Sequence, residues 1–125
     1  MSKSPQNAKA SIPLIERYRF GHIRINQKSF SRDLIITPEK VFPHWQRAKS
    51  HSLTMADLAI ALEASPQELI IGTGYFGRLS VPLSLVEELQ ARGIRCHILP
   101  TRKAWQLYNH LAPKRRTVAA FHLTC

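Results

Sequence analysis

Three stretches in the second half of the chain hold residue types that do chemistry. Gly72-Thr73-Gly74-Tyr75-Phe76-Gly77 places three glycines within six residues, directly after the apolar run Leu69-Ile70-Ile71. Glycines let a backbone take positive φ and come close to a bound group. A loop of this kind at the carboxyl end of a strand is where open α/β sheets hold ligands. Leu99-Pro100-Thr101-Arg102 sets a hydroxyl and a guanidinium at the start of a predicted helix. Free N–H groups and the helix dipole favour an anion there, and arginine can grip a carboxylate or phosphate with two N–H groups. His122 and Cys125 are a base and a thiol, the residue types of an activated Cys–His pair.

Each stretch also has a plainer reading. Gly72-x-Gly74-x-x-Gly77 matches the dinucleotide fingerprint as a pattern, but that motif needs a helix opening within the glycine loop and an acid ending the next strand. Here Pro82 and Ser84 set the helix start well past Gly77, and Ile94-Arg95-Cys96-His97-Ile98-Leu99 holds no carboxylate. No Gly-Lys-Ser/Thr follows, which excludes a Walker loop. Thr101 suits an N-cap, His122 a hydrogen-bonded core histidine and Cys125 a small apolar group. No third group that would orient a Cys–His pair is evident. The six histidines show no HxxxH or HExxH spacing. The sequence therefore assigns no catalytic residue, metal or cofactor. It leaves a candidate anion pocket at the strand ends, formed by Gly72, Thr73, Gly74, Tyr75, Thr101, Arg102 and His122.

The elements that must position these residues follow from periodicity and breakers. Met1–Ser11 is polar and reads as a flexible tail, with one domain spanning 12–125. Alternating and aromatic positions from Ile15 to Ile25, a turn at Asn26-Gln27-Lys28 and a second run from Phe30 to Thr37 predict a β-hairpin. Its basic side chains, Arg17, Arg19, Arg24, Lys28 and Arg32, are expected on a solvated face. Val41–Trp45 is an irregular connector with Trp45 as a packing anchor. Thr54-Met55-Ala56-Asp57 resembles a capping box and predicts a helix to about Ala64, with Met55, Leu58, Ala59 and Leu62 facing inward. The strand Leu69–Ile71 follows. Ser84-Leu85-Val86-Glu87 repeats the capping pattern and opens a helix that closes at Arg92-Gly93. Ile94–Leu99 is a strand, Arg102–Leu111 a helix capped by Thr101, and Thr117–Leu123 the last strand. The order α-β-α-β-α-β after residue 54 predicts an α/β domain of three layers, and the N-terminal hairpin adds antiparallel strands that make its central sheet mixed.

Composition limits the partners. The formal net charge is +10. Residues 1–50 carry ten Lys/Arg against three acids, residues 51–100 three against five, and residues 101–125 five against none. A field of that shape favours anionic partners: nucleic acid, phosphorylated ligands or an acidic protein surface. No apolar run reaches the roughly 20 residues of a membrane span. The polar start has no secretory h-region, which predicts a cytoplasmic protein. Cys96 and Cys125 form no CxxC pair and predict no disulfide in a reducing compartment.

Taken in order, several blocks resemble one family. They are Gly21-x-Ile23-x-Ile25, Leu69-Ile70-Ile71-Gly72-Thr73-Gly74-Tyr75, Leu99-Pro100-Thr101-Arg102, Tyr108-Asn109 and Val118–Cys125. The family is the small single-domain group that includes mitochondrial complex I assembly factor 3, an adipogenesis-associated human protein and many uncharacterised prokaryotic proteins. The likeness runs from about Ile15 to Cys125. Asn26-Gln27-Lys28 departs from it in lacking the turn glycine often found there. The resemblance implies a mixed α/β domain, no catalytic residues to carry over, and an accessory or assembly role through binding of a partner protein, in membrane-complex biogenesis by analogy. Three functions stand as expectations: a non-enzymatic protein-binding module, a small anionic-ligand site or enzyme at the strand ends, and nucleic-acid binding through the basic surface.

Overall fold

The computed structural model describes residues 12–125, so the expected tail Met1–Ser11 lies outside the described residues. Two sheets form. The smaller is an antiparallel meander of β1 (Ile15–Arg19), β2 (His22–Ile25) and β3 (Lys28–Phe30). The larger has the order β5-β4-β8-β6-β7, with β4 (Leu34–Ile36), β5 (Val41–Pro43), β6 (Glu68–Thr73), β7 (Arg95–Leu99) and β8 (Thr117–His122). β6 runs parallel to β7 and β8, while β4 is antiparallel to β8 and β5 to β4. The central sheet is therefore mixed, as the element order predicts.

β6 and β8 are buried along their whole length. Central parallel strands are covered on both faces and so read as continuous apolar runs. Ile70, Ala119 and Phe121 pack on one side with Tyr18, Ile23, Ile25, Ala104 and Tyr108. That layer holds α3 (Thr101–Leu111) and the small sheet. Leu69, Ile71, Val118 and Ala120 pack on the other side with Leu58, Ala61, Leu85 and Leu89. That layer holds α1 (Ala59–Glu63, entered through a 3₁₀ turn at Ala56–Leu58) and α2 (Leu83–Ala91). β7 and β8 flank β6 on opposite sides, so right-handed crossovers place α2 and α3 on opposite faces.

The N-terminal hairpin is more divided than its hydropathy suggests. The Ile15–Ile25 run folds back at Phe20-Gly21, with Gly21 at φ +72° and its N–H donating to the Leu123 carbonyl at 2.9 Å. The second turn is the predicted one, and it manages without glycine because Asn26 and Gln27 take φ of 49° and 69°. Positive φ at both central residues matches the twist of the flanking strands. The expected run Phe30–Thr37 is cut at Arg32-Asp33 and splits between the two sheets.

Caps also differ. Thr54 and Asp57 make the reciprocal capping bonds, at 2.9 and 3.4 Å. The helix they introduce buries Leu58 and Ala61, with Ala59 exposed instead of inward. At α2 the expected Ser84 cap gives way to Pro82, whose carbonyl accepts from Leu85 and Val86. Proline in an extended conformation (φ −60°, ψ 142°) sets the helix start one residue before Ser84. Trp45 is buried, and its Nε1–H donates to the Asp57 carbonyl at 2.8 Å.

Candidate functional site

The carboxyl ends of β6 and β8 and the start of α3 meet at one edge, where Gly72, Thr73, Gly74, Tyr75, Thr101, Arg102 and His122 are neighbours. Thr101 is the knot. It lies inside the first turn of α3, whose N-cap is Pro100, so its hydroxyl is not a helix cap. Instead Oγ1 donates to the His122 carbonyl at 2.7 Å and accepts from the Gly74 N–H at 2.9 Å. The Thr101 N–H donates to the Gly74 carbonyl at 3.0 Å. Gly72 is needed for closeness: a Cβ there would stand 2.7 Å from Thr101 Oγ1 and 2.8 Å from Phe121 Cδ1.

The glycine loop is lined by the chain itself. Tyr75 N–H donates to the Thr124 carbonyl at 2.6 Å, and Arg78 N–H to the Cys125 carbonyl at 3.1 Å. Gly77 N–H turns back to Gly74 and Leu79 N–H to Thr73. Apart from the Phe76 N–H, the backbone donors from Gly74 to Leu79 thus carry bonds to residues 73, 74, 124 and 125 or to Thr101. Thr73 is buried and Tyr75 half-buried. Arg102 is exposed; its Nε donates to the Tyr75 carbonyl at 2.9 Å, and its guanidinium lies 5.1 Å over the Tyr75 ring. Thr101→Val is expected to lower stability by about 2 kcal/mol, since it strands the Gly74 N–H and the His122 carbonyl in the interior. Urea unfolding measures the loss, and faster exchange of the Gly74 amide locates it.

Below this edge lies a charged cluster that no local pattern revealed. His122 Nδ1 is 2.8 Å from Asp33 Oδ2, and Arg47 Nη1 donates to the same oxygen at 2.8 Å. Leu123 N–H donates to Asp33 Oδ1 at 2.8 Å. Arg47 Nη2 also lies 3.3 Å from His122 Nδ1. Arg47 is clamped between Asp33 and the Trp45 ring, 4.9 Å away, and its side chain is only 6% exposed. Its Nε is buried with no partner. Burial alone would raise the Asp33 pKa. The hydrogen bonds from His122, Leu123 and Arg47 together outweigh it and hold the carboxyl below the ordinary aspartate range. Asp33 is therefore the orienting group for His122 that the sequence did not show, 89 positions away. Tyr18 closes the same corner by donating its hydroxyl to the Leu123 carbonyl at 2.7 Å. Burial, with Tyr75 and Asp33 nearby, raises its pKa and keeps it a donor.

Two clefts lie away from this edge. One of about 440 Å³ sits between the sheets, against Pro13, Ile25, Lys28, Phe30 and Val41. One of about 240 Å³ lies beside Phe42, Trp45 and Ile60. Among the described residues no group of three or more His, Cys, Asp or Glu could hold a metal ion, and no helix is long and apolar enough to cross a membrane. Cys96 and Cys125 are free thiols.

Comparison with known proteins places this architecture. A conserved hypothetical protein of Pyrococcus horikoshii superposes with a TM-score of 0.79 at 29% identity, covering 89% of this chain and 98% of that one. A Bordetella parapertussis protein gives 0.74 at 30% identity, covering 90% and 97%. A Mth938-like domain of Bordetella pertussis shares the fold at 0.64 and 24% identity, over 98% and 91% of the two chains. The profile described as "Protein of unknown function (DUF498/DUF598)" matches residues 15–123. With nearly the whole domain inside that match, this chain belongs to the DUF498/DUF598 family of small mixed α/β proteins.

Proposed function

We propose that the protein is a cytoplasmic, non-enzymatic accessory domain that works by binding a partner protein, in the manner of a factor that helps assemble a larger complex. One observation carries this reading. The backbone groups of the strand-end edge, where α/β proteins usually receive a ligand, are largely bonded to Thr101 and to residues 124 and 125 of the same chain. The basic excess adds support, because it draws acidic partners. The likeness to complex I assembly factor 3 points the same way and extends to a membrane-bound complex only by analogy. The test is affinity capture of the tagged full chain from native lysate at low salt. One protein recovered in near-stoichiometric amount is expected; recovery of none overturns the proposal.

A second reading has its own observation. Arg102 stands exposed at the start of α3, and its Nε bond to the Tyr75 carbonyl holds it beside the glycine loop. A small anionic ligand could bind there. Binding to the folded state raises the melting temperature by mass action. Wild type and Arg102→Ala are compared in a thermal-shift screen of anionic metabolites and nucleotides. A shift in wild type that is lost in the variant favours this site, and no shift with any compound dismisses it.

A further inference from the structure

Two segments distant in sequence bring aromatic rings together on the outside of the molecule. Phe20 tips the turn between β1 and β2. Tyr75 and Phe76 tip the glycine loop. Ring centroids lie 5.8 Å apart for Phe20–Tyr75, 5.1 Å for Tyr75–Phe76 and 6.1 Å for Phe20–Phe76. Phe20 is 48% exposed and Phe76 60%. Single exposed apolar residues are ordinary, but a contiguous apolar patch with a polar rim marks an interaction surface.

The rim here is cationic. Arg102 lies over the Tyr75 ring, and Arg78 lies 5.8 Å over that of Phe76. Aromatic residues with arginine are the composition enriched in protein interfaces and their energetic centres. The backbone beneath is tied down by the Gly21 bond to Leu123, the Tyr75 bond to Thr124 and the Arg102 bond to the Tyr75 carbonyl. Rings on a fixed backbone lose little freedom on binding.

We propose that Phe20, Tyr75 and Phe76, with Arg78 and Arg102, form the docking surface for an acidic protein segment bearing an apolar side chain. The apolar side chain covers the two exposed phenylalanines, and flanking carboxylates meet the outer N–H groups of the arginines. Charge complementarity selects this occupant: both charged members of the patch are arginines, on a chain of net charge +10. The ring geometry fits nucleic acid less well. Neighbouring planes stand at 68° and 78°, and arginines cover two of the rings, whereas successive bases need parallel open faces. The inference rests on the partner-binding function proposed above and gives it a place and a chemistry.

The test pans a phage-displayed random peptide library against the full chain and against the Phe20→Ser/Phe76→Ser double variant. All replaced residues are exposed, and matching melting curves establish that the variants fold. Peptides selected by wild type are expected to carry Asp or Glu around an apolar residue. A synthetic copy should bind at least about tenfold more weakly to Phe76→Ser and to Arg102→Glu, and its affinity should fall with salt. No enrichment, peptides without acids, or unchanged affinity for the variants overturns the assignment. So does binding to phosphatidylserine vesicles that the double variant loses while no peptide binds, which makes the patch a membrane contact. If lysate capture yields the same partner with wild type and double variant, the accessory function stands and this surface falls. If neither peptide nor partner binds, both fall.

Discussion

Replacing Asp33 by alanine is expected to destabilise the protein by about 3–5 kcal/mol, the usual cost of removing one member of a buried ion pair. The loss comes from what stays behind. Arg47, with its side chain 6% exposed, would lose the carboxylate it is paired with. The Leu123 N–H and the His122 ring would lose their acceptor at 2.8 Å. Asp33→Asn keeps an acceptor but no charge and should fall between wild type and Asp33→Ala. Urea unfolding at neutral pH measures all three, and a loss below about 1 kcal/mol for alanine would mean that the clamp contributes nothing beyond a surface pair.

The same residue sets a pH dependence with a definite sign. Its folded pKa lies below the ordinary value of 3.8. A depressed carboxylate gives stability that is fully present above the unfolded pKa and is lost as pH falls through the folded one. Wild type should therefore weaken below pH 3.8, and Asp33→Asn should show a shallower fall over that window. Asp57 adds to it. Burial works to raise its pKa, but the Thr54 and Ala48 N–H groups prevail and hold it below 3.8. Some acid sensitivity is therefore expected to survive in Asp33→Asn.

The second large effect is expected at Gly74. Its φ is +100°, and a Cβ there would lie 2.6 Å from the Cys125 carbonyl carbon, 2.7 Å from its oxygen and 2.7 Å from His122 Cδ2. Left-handed backbone costs an L-residue about 1–2 kcal/mol, and forcing a methyl into packed surroundings about 1–3 kcal/mol more. Gly74→Ala should thus lose about 2–5 kcal/mol in total. Gly77 is the control. It also has positive φ, at +71°, but a Cβ there meets nothing nearer than 3.4 Å. Gly77→Ala should lose only the backbone part, about 1–2 kcal/mol. If residues 123–125 lift away to relieve the Gly74 variant, the Tyr75 and Arg78 amides lose their acceptors. Hydrogen exchange at those two positions would show it. Equal losses at both glycines would mean that the close approach to Cys125 is not a constraint.

The sequence by itself determined what depends on neighbours along the chain. The apolar run Leu69–Ile71 marked β6, and Thr117–Leu123 marked β8 as the last strand. The Thr54/Asp57 spacing announced the first helical segment, and Arg92-Gly93 marked the end of α2. The alternation of elements set an α/β domain of three layers, because a sheet and its crossover helices have few ways to bury their apolar faces, and the N-terminal hairpin made the sheet mixed. Tertiary structure decided whatever depends on which distant groups meet. Asp33 reads locally as a polar residue inside a strand; its partners come from residues 47, 122 and 123. Thr101 reads as a cap, yet the end of β8 offers its hydroxyl a buried carbonyl and Gly74 a buried N–H. The glycine loop reads as a cradle for a ligand, and the residues after β8 lie in it. No periodicity encodes such choices, since a hydrogen bond in the interior is fixed by which unsatisfied donor and acceptor the packed strands bring within 3 Å.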